Sequence, residues 1–198
     1  MKPILSYCAS VLIVLSLLVN AAMALEPASI ASETQTNTLC PVSSKPVNPA
    51  FTVVYEGRTW SFAEETCKAK WEKARAESLY QQLGGKAAIN AAVDAFYVKV
   101  LADERVKHFF DDVSMEKQRR KQKEFLSAAL GGPLPWVGKD MRKAHADIEI
   151  KEEHFNAIAE NLVATLKDLK ISDEMIGKVI AVVATTKDDV LNCPKKAE

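Results

Sequence analysis

The chain has 198 residues, 48% of them hydrophobic, with 7 Gly, 8 Pro, 4 Cys and 26 basic against 26 acidic side chains. This composition excludes a disordered tail, a collagen-like repeat and a dense disulfide scaffold, and it calls for a packed core. Balanced charge offers no field for nucleic acid or for an anionic membrane surface.

At the amino terminus, Lys2 precedes the uncharged apolar run Val11 to Val19, which is followed by Ala22-Met23-Ala24. This is a secretory signal pattern over residues 1–24, and the run is short for an ordinary spanning helix. Leu25 stands where a lipoprotein needs its cysteine, so the expectation is a periplasmic or otherwise exported protein with no membrane attachment after cleavage. Cleavage removes Lys2 alone among the charges, leaving 25 basic against 26 acidic residues. Residues 25–38, LEPASIASETQTNT, are polar and aperiodic and read as a flexible leader.

A small module is expected over residues 39–77. Val47, Pro49 and Phe51 to Tyr55, then Glu56-Gly57, then Arg58-Thr59-Trp60 give a β-hairpin pattern around a glycine-containing turn. Ser61 with Glu64 has capping-box spacing, which predicts a helix from near Phe62 that carries Cys67 and Trp71 and continues to Ser78. A core this small needs a metal, a disulfide or a neighbour to pack against.

From Ser78 the period is helical. Ile89, Ala92, Val93, Phe96, Tyr97, Val100 and Leu101 follow the i, i+3, i+4, i+7 template. A second helix is predicted from Met115 to Leu130, stopped by Gly131-Gly132-Pro133. A third carries Phe155 to Leu169, and a fourth begins after Ser172. No strand pattern follows residue 78, so the body is expected to be all-α. The basic group Lys117, Arg119, Arg120, Lys121 and Lys123 is flanked by Glu116 and Glu124 and reads as a solvated helix face.

On the second helix, Gln118, Gln122, Phe125, Leu126 and Ala129 share one stripe, so two amides face inward. An unpaired buried amide costs about 1 to 3 kcal/mol, so each needs a partner in the protein or in a ligand; Tyr97 on the first helix is one candidate. His145 follows a short segment after a Gly/Pro-rich loop. No Cys-x-x-Cys-His occurs to attach a haem covalently, and taken singly His145 is a weak metal candidate. His108 and His154 have no zinc-ligand spacing.

The blocks SLYQQLGGKAAINAAVDAFYVKVL, HFF, FLSAALGGPLPW, MRKAHADIEI and HFNAIAENLVATL, in this order, resemble the group I truncated globins over residues 78–192. The resemblance implies a mainly α, two-over-two helical sandwich holding haem b (iron protoporphyrin IX), with His145 as proximal iron ligand. It places Tyr97, Gln118 and Gln122 in the distal pocket and Phe96, Phe109, Phe110 and Met141 against the haem. It implies dioxygen, nitric oxide or carbon monoxide as ligand. It leaves open turnover as a nitric oxide dioxygenase or peroxidase, which needs an unknown external electron donor because the chain carries no flavin or reductase fingerprint. Two departures stand out: Ala146-Asp147-Ile148-Glu149 has no glycine after the histidine, and Leu126 stands where some members have Phe.

The stretch CPVSSKPVNPAFTVVYEGRTWSFAEETCKAKWE resembles a YHS domain, a module of metal-handling proteins, with Ser43 and Ala63 where further cysteines often occur. Cys40 and Cys67 remain, implying either a disulfide or a weak metal site. Cys193 is left over in the tail, residues 193–198.

Overall fold

The computed structural model describes residues 37–194; the signal-like segment 1–24, residues 25–36 of the expected leader and residues 195–198 of the tail lie outside the described residues. Asn37 and Thr38, expected in a flexible leader, belong to the fold. Asn37 Nδ2 donates to the Ser61 carbonyl at 2.7 Å, and the Ser61 N–H donates to Asn37 Oδ1 at 3.0 Å. The side-chain amide thus pairs both main-chain groups of a residue that is buried, where leaving them unmade is costly. Thr38 adds a carbonyl that accepts from Val47 N–H.

Strands β1 (Asn48–Tyr55) and β2 (Arg58–Phe62) pair antiparallel, with Tyr55 opposite Arg58. Between them Glu56 and Gly57 have φ of +52° and +72°, the two left-handed residues that a twist-matched two-residue hairpin requires. The helix expected from near Phe62 begins later. Ser61 and Phe62 complete β2, and α1 (Glu65–Ala76) starts after Glu64 without a side-chain cap bond. Strand pairing prevails because it buries Phe62 completely, with its ring 5.6 Å from that of Trp71 on α1. The predicted continuous helix to Ser78 is also broken: α1 ends at Ala76, and Ser78 caps a new short helix, α2 (Leu79–Gln82), by accepting from Gln81 N–H.

The body contains α3 (Gly85–Val100), a 3-10 turn at Lys107–Phe110, α4 (Met115–Ala129), α5 (Met141–His145), α6 (Glu152–Asp168), α7 (Asp173–Ala184) and α8 (Lys187–Val190). The four helices read from periodicity are α3, α4, α6 and α7; Ser172 caps α7 through Met175 N–H, as its position predicts. The α3–α4 pair lies on the α6–α7 pair through contact of α3 with α6, with Val93, Val100, Ala157 and Leu166 in the core between them. The end of α4 is enforced by Gly132, where a Cβ would lie 2.6 Å from the Ser127 carbonyl oxygen. Behind His145 the chain turns with Ile148 N–H donating to the His145 carbonyl, and no residue from 146 to 149 takes a positive φ. A glycine is unnecessary in a turn of that shape.

The amino-terminal module packs on the body. Arg75 Nη1 donates to the carbonyls of Gly131 and Gly132 at 2.5 and 2.8 Å, placing a cation at the carbonyl end of α4. Tyr80 Oη donates to Glu56 at 2.6 Å, and Tyr55 Oη donates to Gln81 at 2.8 Å. Tyr80, itself buried, is held up in pKa by burial and by the Glu56 carboxylate, so it remains a donor through the neutral range. Cys193, the first residue of the expected tail, is tied by its N–H to the Asp188 carbonyl. Among the described residues no helix is long and apolar enough to cross a membrane.

Candidate functional site

A cavity of about 730 Å³ opens between α3, the 3-10 turn, α4, α5 and α6. That volume falls in the range of small-molecule and cofactor sites, about 300 to 1,000 Å³. All eight residues expected around a cofactor line it: Phe96, Tyr97, Phe109, Phe110, Gln118, Gln122, Met141 and His145. Its wall is mostly hydrocarbon and aromatic, with Val93, Val106, Phe125 and Leu126 adding to the rings, so an apolar group placed there buries contact area on every side of the lining.

His145 ends α5, whose start is fixed by Asp140 accepting from Lys143 N–H at 2.8 Å. One turn back along the helix, the Met141 carbonyl lies 2.7 Å from His145 Nδ1. A carbonyl only accepts, so Nδ1 carries a proton, and of the two neutral tautomers this contact selects the one with its lone pair on Nε2. This is the second contact that ligating histidines ordinarily make, fixing tautomer and orientation. The segment is held from behind: Asn192 Nδ2 donates to the His145 carbonyl at 3.0 Å and Arg142 pairs with Asp189.

Tyr97 is 2% exposed, its ring fixed edge-on by Phe96 at 5.2 Å and Phe110 at 5.7 Å. Gln118 Nε2 donates to its phenol oxygen at 3.0 Å. The phenol therefore receives one hydrogen bond and retains its own proton to give, and burial raises its pKa, so the proton stays on. This resolves one of the two inward amides. The other, Gln122, has no hydrogen bond within the protein among the described residues and lines the cavity. The stripe of α4 thus borders a hollow rather than a close-packed core, and Ala129 on it is exposed.

Among the lining residues that sequence reasoning missed, two carry ring nitrogens. Trp136 closes one side, edge-on to Phe125 at 5.7 Å and tied by Nε1–H to the Lys139 carbonyl at 2.9 Å. His154 packs its ring 4.9 Å from Phe109 while Nδ1 accepts from Lys151 N–H. Trp136 lies in a Gly/Pro-rich loop outside any periodic segment, where an aromatic was the available signal, whereas His154 falls in the first turn of α6 beside Glu152 and Glu153, one residue before the apolar stripe that begins at Phe155.

Cys40 and Cys67 lie together in the core of the small module, both buried free thiols, with Ser43 beside both sulfurs. Burial alone would raise Cys40, but the Ser43 hydroxyl and the amides of Ala63, Val42 and Ser43 more than offset it, drawing the thiol down to about 6. Burial pushes Cys67 up, and its Sγ donates to Glu64 at 3.6 Å. Among the described residues no group of three or more His, Cys, Asp or Glu side chains is placed to hold a metal ion.

The bacterial-like globin family matches residues 78–192. The group 1 truncated hemoglobin of Tetrahymena thermophila is 48% identical over 114 residues, 58% of this chain and 94% of that protein. Among solved structures, the truncated hemoglobin of Tetrahymena pyriformis in its Fe(III) form superposes with a TM-score of 0.57 at 47% identity, covering 58% of this chain and 98% of that one. The 2/2 hemoglobin of Synechococcus, solved in the cyanomet state with covalently attached heme, gives the same TM-score, identity and coverage. The two stacked helix pairs, the cavity between them and these likenesses agree, and the chain belongs to the bacterial-like globin family, residues 78–192 forming a group 1 truncated hemoglobin domain.

Proposed function

We propose that the cavity of the globin domain holds haem b, with His145 as the proximal ligand, and that the protein reversibly binds dioxygen or another diatomic gas. The observation that carries this reading is the bond from His145 Nδ1 to the Met141 carbonyl, which leaves Nε2 as a lone pair in a ring that lines the cavity. Haem, when bound, supplies an iron that accepts this nitrogen and has a further position for a small gas.

The remaining chemistry belongs to the chain. The aromatic and aliphatic lining excludes water and makes each polar group inside it count for more. Tyr97, receiving from Gln118, holds a free O–H for a ligand that gains negative charge on binding, and Gln122 supplies a second amide to the same space. Such donors slow release. The other reading, turnover as a nitric oxide dioxygenase or peroxidase, needs an external electron donor, and no contact among the described residues favours it.

The test is the absorption spectrum of the reduced protein, exposed first to carbon monoxide and then to air. A five-coordinate ferrous spectrum that turns into a stable oxygenated form supports the reading. Tyr97→Phe then raises the dioxygen dissociation rate roughly tenfold to a hundredfold, because a hydrogen bond to a charged group is worth about 1.5 to 3 kcal/mol. An unchanged rate removes Tyr97 as the principal donor.

A further inference from the structure

Arg119 follows Gln118 on α4 but, unlike Gln118 and Gln122, does not line the cavity. Its guanidinium carbon lies 5.6 Å from the centroid of the Tyr97 ring. Its Nη1 donates to the main-chain oxygen of Asp94 at 3.2 Å and reaches the Asp94 carboxylate at 3.4 Å. Lys123, one turn further along α4, donates to the other oxygen of that carboxylate at 2.9 Å and, with Arg119, holds the acid below its ordinary range. Asp94 stands three residues before Tyr97 on α3, so one turn of that helix carries both the anchor and the phenol.

These contacts surround the ring. Phe96 and Phe110 meet it edge-on, Gln118 occupies the oxygen, and Arg119 covers a face. A guanidinium against an aromatic face is attracted by the ring quadrupole and draws electron density from it. A phenol so polarised gives its proton more strongly in a hydrogen bond. The rigid guanidinium also holds the ring plane in a way that the flexible stem of a lysine does not.

We propose that Arg119, anchored on Asp94, is a positioning residue for Tyr97: from outside the cavity it fixes the plane of the phenol and strengthens its O–H as a donor to a small gas ligand. This rests on the haem and gas-binding reading given above. A merely structural ion pair between α3 and α4 would fasten the helices without acting through the hydroxyl.

The test uses Arg119→Met and Arg119→Lys, each alone and combined with Tyr97→Phe, in the full-length mature protein. In Arg119→Met, haem stoichiometry is retained, dioxygen dissociates about threefold or more faster, and the carbon–oxygen stretch of the carbon monoxide complex moves toward its position in Tyr97→Phe. Arg119→Lys restores part of both. In the Tyr97→Phe background the Arg119 changes add nothing. In the haem-free protein, the tyrosine Cζ resonance of Tyr97 shifts in Arg119→Met, a readout that does not depend on the cofactor. Unmoved rates and stretch in a protein with a normal haem spectrum overturn the proposal alone, as does an equal increment with and without the Tyr97 hydroxyl. A wild-type protein that takes up no haem overturns the gas-binding reading, and the proposal with it. Should Arg119→Met fail to fold, the lysine variant carries the same comparison.

Discussion

Around Trp71, the rings of Tyr55, Trp60 and Phe62 close to centroid distances of 5.4 to 5.6 Å and make up most of the core of the amino-terminal module. Around Tyr97, the rings of Phe96 and Phe110 are as near, yet they line the wall of a cavity of about 730 Å³. The polar atoms differ in the same way. Trp60 Nε1, Trp71 Nε1 and Arg75 Nε are buried in or beside the module without a hydrogen-bond partner among the described residues, whereas in the body the unspent capacity of Tyr97, Gln122 and His145 lies at the cavity. Aromatic burial thus builds a compact support in one region and shapes a hollow in the other. What separates them is where the donors and lone pairs point.

The comparison can be broken at its first half by Trp71→Ala. Removing a buried tryptophan from the module core costs about 3 to 5 kcal/mol, read as a lower denaturant midpoint. The contrast predicts that haem stoichiometry at low denaturant is unchanged; loss of haem uptake in a protein that remains folded would make the module part of the site. Oxidation of the same core is the next largest effect. A diffusible disulfide that joins Cys40 to Cys67 closes a loop across the hairpin and α1 and stabilises the protein by about 3 kcal/mol in the chain-entropy account. Cys67→Ser abolishes the difference between oxidised and reduced protein. Equal stability of both redox forms in the wild type would show that the two sulfurs do not bridge.

Arg75→Met sharpens the boundary between the regions. It deletes the bonds to the Gly131 and Gly132 carbonyls at the end of α4 and costs about 1.5 to 3 kcal/mol, the value of hydrogen bonds to a charged group. Two separate unfolding transitions in that variant would show that Arg75 couples the module to the globin domain. One transition at the wild-type midpoint would show that the tyrosine contacts suffice.

The body was legible in the sequence because its signal is periodic: α3, α4, α6 and α7 each carry an inward stripe with the helical repeat, and Ser172 caps where its position says it should. The hairpin was legible through Glu56-Gly57. The start of α1 was not, because the Ser61 and Glu64 spacing that marks a helix cap competes with strand pairing, and only the burial of Phe62 decides between them. Asn37 was lost for a related reason: a polar stretch without period gives no hint that one amide side chain completes the main-chain bonds of Ser61. Within the site, the residues on helix stripes were found. Trp136 reaches the cavity from a loop, and Arg119 acts on Tyr97 from the solvated face, positions that periodicity assigns to turn and surface.

The most direct test of the account is a haem titration of the haem-free protein, wild type beside His145→Ala, followed by absorbance. The account predicts one haem per chain in the wild type, and in the variant no stoichiometric uptake with its fold retained. Full uptake by His145→Ala with an unaltered ferrous spectrum would contradict it.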